Sequence, residues 1–152
     1  MINEAQITIE GMNADDLDEV LGIEKVSFSD PWTYPMFKAE LSNSFSHPWV
    51  VRLAPSRALA GYICFWLFEG EAHVLNLAVH PQYRQKGIGT RLITVALDYW
   101  RKAGVVSAFL EVRESNEPAR RLYEKMGFRM ITRRPKYYRN PKEDAFIMGL
   151  EL

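Results

Sequence analysis

The segment Leu77-Ala-Val-His-Pro-Gln-Tyr-Arg-Gln-Lys-Gly-Ile-Gly-Thr90 changes periodicity midway. Its apolar start reads as the end of a strand over Ala72–Val79. Past the glycines, Ile88, Leu92, Val95, Ala96 and Tyr99 recur at helical spacing, which predicts a helix over Ile88–Lys102. Gly104 reads as its C-cap and Val105–Val112 as the next strand. Such a unit places its two strands parallel through a right-handed crossover. Between strand and helix lies Arg84-x-x-Gly87-x-Gly89, where missing side chains let successive N–H groups point at one anion. The new helix adds free N–H groups and the positive end of its dipole. The sequence therefore predicts a phosphate cradle.

Working outward, the rest of the chain alternates in the same way. Gln6–Glu10 has strand alternation, and Ala14–Val26 carries Leu17, Val20 and Leu21 at helical spacing behind Asn13 as N-cap. Phe28-Ser-Asp-Pro-Trp32 breaks the pattern, and a short helix starts at Thr33 with Pro35 in its first turn and Phe37 and Leu41 inward. Trp49–Leu53 and Ala58–Phe68 read as strands across the Pro55-Ser56-Arg57 turn. Asn116 can cap a further helix, with Pro118 in its first turn, Ala119, Leu122, Tyr123 and Met126 inward, and Gly127 at its end. Strands near Phe128–Thr132 and Asp144–Leu150 close the chain around a proline-containing loop. The expected fold class is mixed α/β, in a single domain.

Composition excludes several function classes. Lys+Arg 19 against Asp+Glu 19 leaves formal net charge +0, without the basic footprint of a nucleic-acid binder. The run Arg129, Arg133, Arg134, Lys136, Arg139 and Lys142 reads as a solvated face, or as a contact to phosphates or a protein partner. Cys64 has no partner for an internal disulfide and sits among Ile63, Phe65 and Trp66 as a small core residue. The start Met1-Ile-Asn-Glu-Ala-Gln6 lacks signal-peptide blocks, and no apolar run approaches membrane-spanning length. The expected compartment is the cytoplasm. His47, His73 and His80 are too scattered to suggest a metal site.

A second motif, Asn116-x-x-Ala119-x-x-Leu122-Tyr123-x-x-x-Gly127-Phe128, follows the strand ending Leu110-Glu111-Val112. Together with the glycine loop it resembles the GNAT superfamily of N-acetyltransferases. Asp30-Pro-Trp32, Gly70-Glu-Ala72, Leu75-Asn-Leu-Ala-Val79, Leu110-Glu-Val-Arg113 and Tyr137-Tyr138 followed by Glu143–Met148 carry a closer likeness to the branch that acetylates ribosomal-protein alanine.

The resemblance implies a central mixed, twisted sheet flanked by about four helices, with acetyl-CoA between two splayed parallel strands and no metal. The backbone of Leu77, Ala78 and Val79 would hold the pantetheine arm, and the Val79 N–H would polarise the thioester carbonyl. Arg84, Gln85, Lys86, Gly87, Ile88, Gly89 and Thr90 would surround the pyrophosphate, and Asn116 would meet the pantetheine region. Glu111, part-buried beside Leu110 and Val112, is the candidate base; the alternative is a solvated strand-end carboxylate. Tyr123 is the candidate acid, with core packing as part of its role. Trp32, Tyr137 and Tyr138 would wall the acceptor channel, or only cover the sheet end. Glu24 reads as a surface acid, with a cleft base as its alternative. The implied acceptor is a protein N-terminal α-amine, foremost the alanine terminus of a small-subunit ribosomal protein; broader N-terminal and lysine or small-amine acceptors are alternatives, as is a CoA-binding module without catalysis.

Overall fold

The computed structural model describes residues 2–152. Seven strands form one sheet: β1 Ile7–Gly11, β2 Ser46–Leu53, β3 Ala58–Phe68, β4 Glu71–Val79, β5 Ser107–Arg113, β6 Arg129–Tyr138 and β7 Glu143–Glu151, in the order β1-β2-β3-β4-β5-β7-β6. All neighbours are antiparallel except β4 and β5, which the helix crossover makes parallel. Four helices accompany it: α1 Leu17–Ser27, α2 Tyr34–Ser42, α3 Ile88–Lys102 and α4 Glu117–Lys125. This is the mixed α/β arrangement expected.

Two cores lie on the two sheet faces. β3 is buried almost end to end, so its apolar run Leu59–Phe65 feeds both. On one face α3 buries Leu92, Ile93, Ala96, Leu97 and Trp100 against Ile63, Phe65, Val74 and Leu110. On the other, Leu17, Val20 and Ile23 of α1 and Phe37 of α2 pack on Val50, Tyr62 and Cys64.

Several boundaries and faces depart from the sequence reading. Ala14–Asp16 is a 3-10 turn that precedes α1, and the Asn13 side chain caps it by accepting the Asp15 N–H at 2.9 Å. The buried stripe of α3 is rotated: Tyr99 is exposed and packs at the rim, 5.3 Å from Trp49, while Ile93, Leu97 and Trp100 turn inward. β6 continues well past Thr132, so Tyr137 and Tyr138 end a strand rather than occupy a loop.

Candidate active site

β4 and β5 pair only from Glu71–Val74 with Ser107–Leu110. Beyond Val74 they part, while β4 stays on β3 to Val79 and β5 stays on β7 to Arg113. A bulge marks the parting point: Phe65 pairs with Val74 and Cys64 with Asn76, leaving Leu75 as the extra residue. The extra residue switches the faces of β4. Ala72, Val74, Leu77 and Val79 meet the α3 side, whereas Leu75 and Ala78 meet α1 and α2. From Leu75 to Val79, the edge of β4 that faces β5 has no strand partner. An extended chain of amides can hydrogen-bond there.

The opening is a cleft of about 450 Å³, and every predicted co-substrate position except Lys86 lines it. Ser27 and Phe28 at the end of α1, Tyr83, and Pro118, Ala119 and Leu122 on α4 complete the wall; neither motif signalled the α1 contribution. At its mouth Gln85 and Gly87 are left-handed, with φ 60° and 88°. Gly87 caps α3 without a side chain over the helix N–H groups. Successive N–H groups in such a turn form an anion nest, so the residues fit a diphosphate. Gly89 has a different task from Gly87. A Cβ there would stand 3.1 Å from Leu122 Cδ2 and 3.9 Å from Val79 Cγ2, so its absence lets α3, α4 and β4 converge. The Arg84 side chain flanks the nest by donating to the Val79 carbonyl and to Ser27 Oγ, both at 2.9 Å. Asn116 caps α4, accepting the Ala119 N–H at 3.3 Å, while it also lines the cleft.

Glu111 lies on the opposite face of β5 from Leu110 and Val112, which are buried; its own side chain is 42% exposed. The burial expected for it is absent because neighbours on a strand alternate. The Tyr137 hydroxyl donates to Glu111 Oε2 at 3.4 Å, and Arg134 approaches Oε1 at 3.9 Å. Tyr123 is buried, its ring 5.8 Å from that of Phe128, and burial pushes its phenol above the usual 10.0. Burial also raises Tyr138, helped by nearby Glu111 and Tyr137 and opposed by Arg113, whose guanidinium lies 4.4 Å above its ring. Trp32 stands apart from this group. It is half-buried, 5.0 Å from the Phe37 ring, and lines neither the cleft nor the hollow beside Glu111.

One expectation about charge is corrected. Glu24 is 1% exposed, not a surface acid. Its Oε1 accepts the Tyr62 hydroxyl at 2.5 Å and Asn76 Nδ2 at 2.8 Å, and its Oε2 accepts the Trp32 N–H at 2.9 Å. With those lone pairs engaged by the protein, it is not presented as a cleft base either. The basic run Arg129, Arg133, Arg134, Lys136, Arg139 and Lys142 is exposed throughout, the solvated face expected, with two of its members in surface ion pairs. Arg133 pairs with Glu114 at 3.1 Å and Asp144 at 3.7 Å, while Arg134 reaches Glu111.

The profile of the acetyltransferase (GNAT) family matches residues 17–128, and the chain belongs to that family. It is an N-acetyltransferase. A protein of Bacillus subtilis (strain 168) with the provisional name ribosomal protein bS18-alanine N-acetyltransferase is 35% identical over 150 residues, 98% of each chain. The Escherichia coli (strain K12) ribosomal protein bS18-alanine N-acetyltransferase is 32% identical over 147 residues, covering 95% of this chain and 97% of its own. Among solved structures, the Escherichia coli ribosomal-protein-S18-alanine N-acetyltransferase superposes with TM-score 0.86 at 31% identity, over 95% of this chain and 93% of that one. Ard1 from Thermoplasma volcanium gives TM-score 0.88 at 26% identity, over 97% and 98%.

Proposed function

We propose that this enzyme moves the acetyl group of acetyl-CoA to the free α-amine of a protein N-terminus, with the N-terminal alanine of ribosomal protein bS18 as its first acceptor. The observation that carries the reading is the seam between β4 and β5. An unpartnered strand edge leads to an anion nest at one end, and Glu111, just past the parting point on β5, has Tyr137 and Tyr138 near it, with Tyr123 near Tyr138.

In this reading the edge at Leu77, Ala78 and Val79 holds the pantetheine amides, with the Val79 N–H directed at the thioester oxygen. The loop from Gln85 to Thr90 takes the pyrophosphate, and Asn116 contacts the pantetheine region. An α-amine has a pKa of roughly 7.7–8.0, so a useful fraction is already neutral near pH 7. Its nitrogen bonds to the thioester carbon, the C–S bond breaks, and Glu111 takes the surplus amine proton directly or through water. Tyr123 gives its proton to the departing thiolate; burial keeps that phenol protonated until it is needed. Tyr137 and Tyr138, beside Glu111, wall the acceptor side.

The full-length likeness to bS18-alanine enzymes supports the narrow acceptor. The similarity to the archaeal Ard1 structure supports a broader N-terminal acetyltransferase as the second reading. Mass spectrometry of acetyl transfer separates the two. The acceptors are a peptide with the bS18 alanine terminus, its N-terminally blocked twin with an internal lysine, and a Met-starting peptide. Acetylation confined to the free alanine establishes the narrow reading. Modification of the Met peptide as well favours the broader one, and transfer only to lysine overturns the α-amine assignment.

A further inference from the structure

Ile2 lies on the α3 side of the sheet, half-buried against the core that α3 completes. The chain then runs through a 3-10 turn at Glu4–Gln6 into β1. Side chains fix that turn: Asn3 Oδ1 accepts the Ala5 N–H at 3.0 Å, and Gln6 Oε1 accepts the Asn3 N–H at 3.2 Å. One end of the segment is tied to the residue after β2, where the Gln6 carbonyl accepts the Ala54 N–H at 2.8 Å. At the other end the Ile2 N–H donates to the Lys86 carbonyl at 3.3 Å. Among the described residues this is the one backbone hydrogen bond that Gln85 or Lys86 makes. Residues 2–6 thus strap the glycine loop to the rim of the sheet.

We infer that Ile2 is a positioning residue for the anion nest: its N–H holds the Lys86 carbonyl outward and so aims the Gly87 N–H at the diphosphate of acetyl-CoA. The inference rests on the reading that the loop from Gln85 to Thr90 takes the pyrophosphate. In a planar trans peptide the carbonyl and the following N–H point in opposite directions. Drawing the Lys86 oxygen to Ile2 therefore turns the Gly87 N–H away from Ile2, toward the cleft that Gly87 lines. The same orientation accounts for Lys86, the one cradle position that does not line the cleft. Backbone strain makes an outside hold necessary. Gln85 stands at φ 60° without the freedom of a glycine, and such a residue persists only where its surroundings fix it. Before it, Arg84 grips Val79 and Ser27; after it, Ile2 grips Lys86. Glu4 also approaches Arg91 in the first turn of α3 at 3.7 Å, but the Glu4 side chain is 75% exposed, and an exposed pair contributes little. The hold falls to Ile2, whose apolar side chain anchors the donor in place.

The test is isothermal titration of acetyl-CoA, and of acetyl-pantetheine, which lacks the diphosphate, into the intact chain and its variants Ile2→Gln and Ile2→Leu. The parent should bind acetyl-CoA much the more tightly of the two. Ile2→Gln replaces the apolar anchor with a polar one. Its acetyl-CoA affinity should fall about tenfold, the worth of one N–H bond to a charged group, while acetyl-pantetheine changes by less than about twofold. Ile2→Leu keeps the anchor and should restore the parent values. In steady state, KM for acetyl-CoA should rise in Ile2→Gln while KM for the acceptor peptide holds. Equal weakening of both ligands would reduce Ile2 to packing and overturn the positioning role, as would an unchanged acetyl-CoA affinity. Either result leaves the pyrophosphate reading standing as long as the parent favours acetyl-CoA. A parent that binds the two ligands equally overturns that reading, and the role of Ile2 with it.

Discussion

Asn76 Nδ2 donates to Glu24 Oε1 at 2.8 Å, which ties the middle of α1 to the strand segment just beyond the β4 bulge. The same oxygen holds Tyr62 of β3, and the other oxygen holds the Trp32 backbone. One carboxylate thus fixes α1, the α1–α2 connection, β3 and β4 at the cleft. Glu24→Gln replaces an acceptor with a donor facing groups that already donate. A stability loss of about 1–3 kcal/mol is expected, measured by denaturant unfolding at pH 7. The shape of the pH–rate profile should persist; loss of its acidic limb would restore Glu24 as a base.

Glu111→Gln keeps the shape of the side chain and removes the proton acceptor. Turnover should fall by about 10²–10⁴-fold, the usual worth of a positioned base, while acetyl-CoA affinity measured by calorimetry holds. Near-normal turnover would hand the proton to solvent.

Tyr123→Phe deletes a hydroxyl and leaves the ring on Phe128. Single-turnover acetyl transfer should slow by roughly 10²-fold or more, with the melting temperature within a few degrees of the parent. Because burial raises this phenol above 10.0, ionisation of Tyr123 should not limit the parent rate below about pH 10. An unchanged single-turnover rate in the variant would reduce Tyr123 to packing.

Gly87→Ala forces a Cβ onto a residue at φ 88°, at a cost of about 1–2 kcal/mol. It should weaken acetyl-CoA more than it weakens acetyl-pantetheine, which lacks the diphosphate. Gly89→Ala should instead act through Leu122, whose tip must give way, and lower stability without that selectivity. Isothermal titration with the two ligands distinguishes them.

Alkaline pH should unfold the protein early. Burial raises Tyr62, Tyr123 and Tyr138 above 10.0, and Glu24 adds to the shift at Tyr62; burial, then Glu40 and Glu24, raises Cys64 above 9.0. The folded groups keep protons that the unfolded chain releases, so their stabilisation is full below the unfolded values. It is lost as pH climbs from about 9 through 10 toward the folded values, by about 1.4 kcal/mol per pH unit for each group. Chemical denaturation between pH 8 and pH 11 checks this, and a flat profile would contradict it.

The local rules carried far in this chain and failed where distant partners decide. Arg84-x-x-Gly87-x-Gly89 and the Asn116 cap are set by neighbouring residues, and they sit in the fold as the sequence indicates. Glu24 could not be read correctly, because its side-chain partners Tyr62 and Asn76 lie 38 and 52 residues away. The face switch in β4 was hidden for the same reason: it exists only in register with Cys64 and Phe65. Tyr99 misled because a large ring at helical spacing looks inward, whereas here it rests on Trp49 at the rim. The exposure of Glu111 was legible in principle from the alternation of Leu110, Glu111 and Val112.

Between the strands β1–β4 and β5–β7, the sheet ladder consists of four residue pairs, Glu71–Val74 with Ser107–Leu110. In hydrogen-bond terms the molecule resembles two half-sheets joined by a short hinge. A thioester carrier lodged in the gap would serve as a splint as well as a reagent. The amide protons of Leu77 and Val79, which point away from β3, should then be the reporters of loading, exchanging quickly in the free enzyme and slowly once the gap is bridged. Spent CoA would brace the halves too, so the last step of each cycle is the unbracing of a sheet that the product itself has completed.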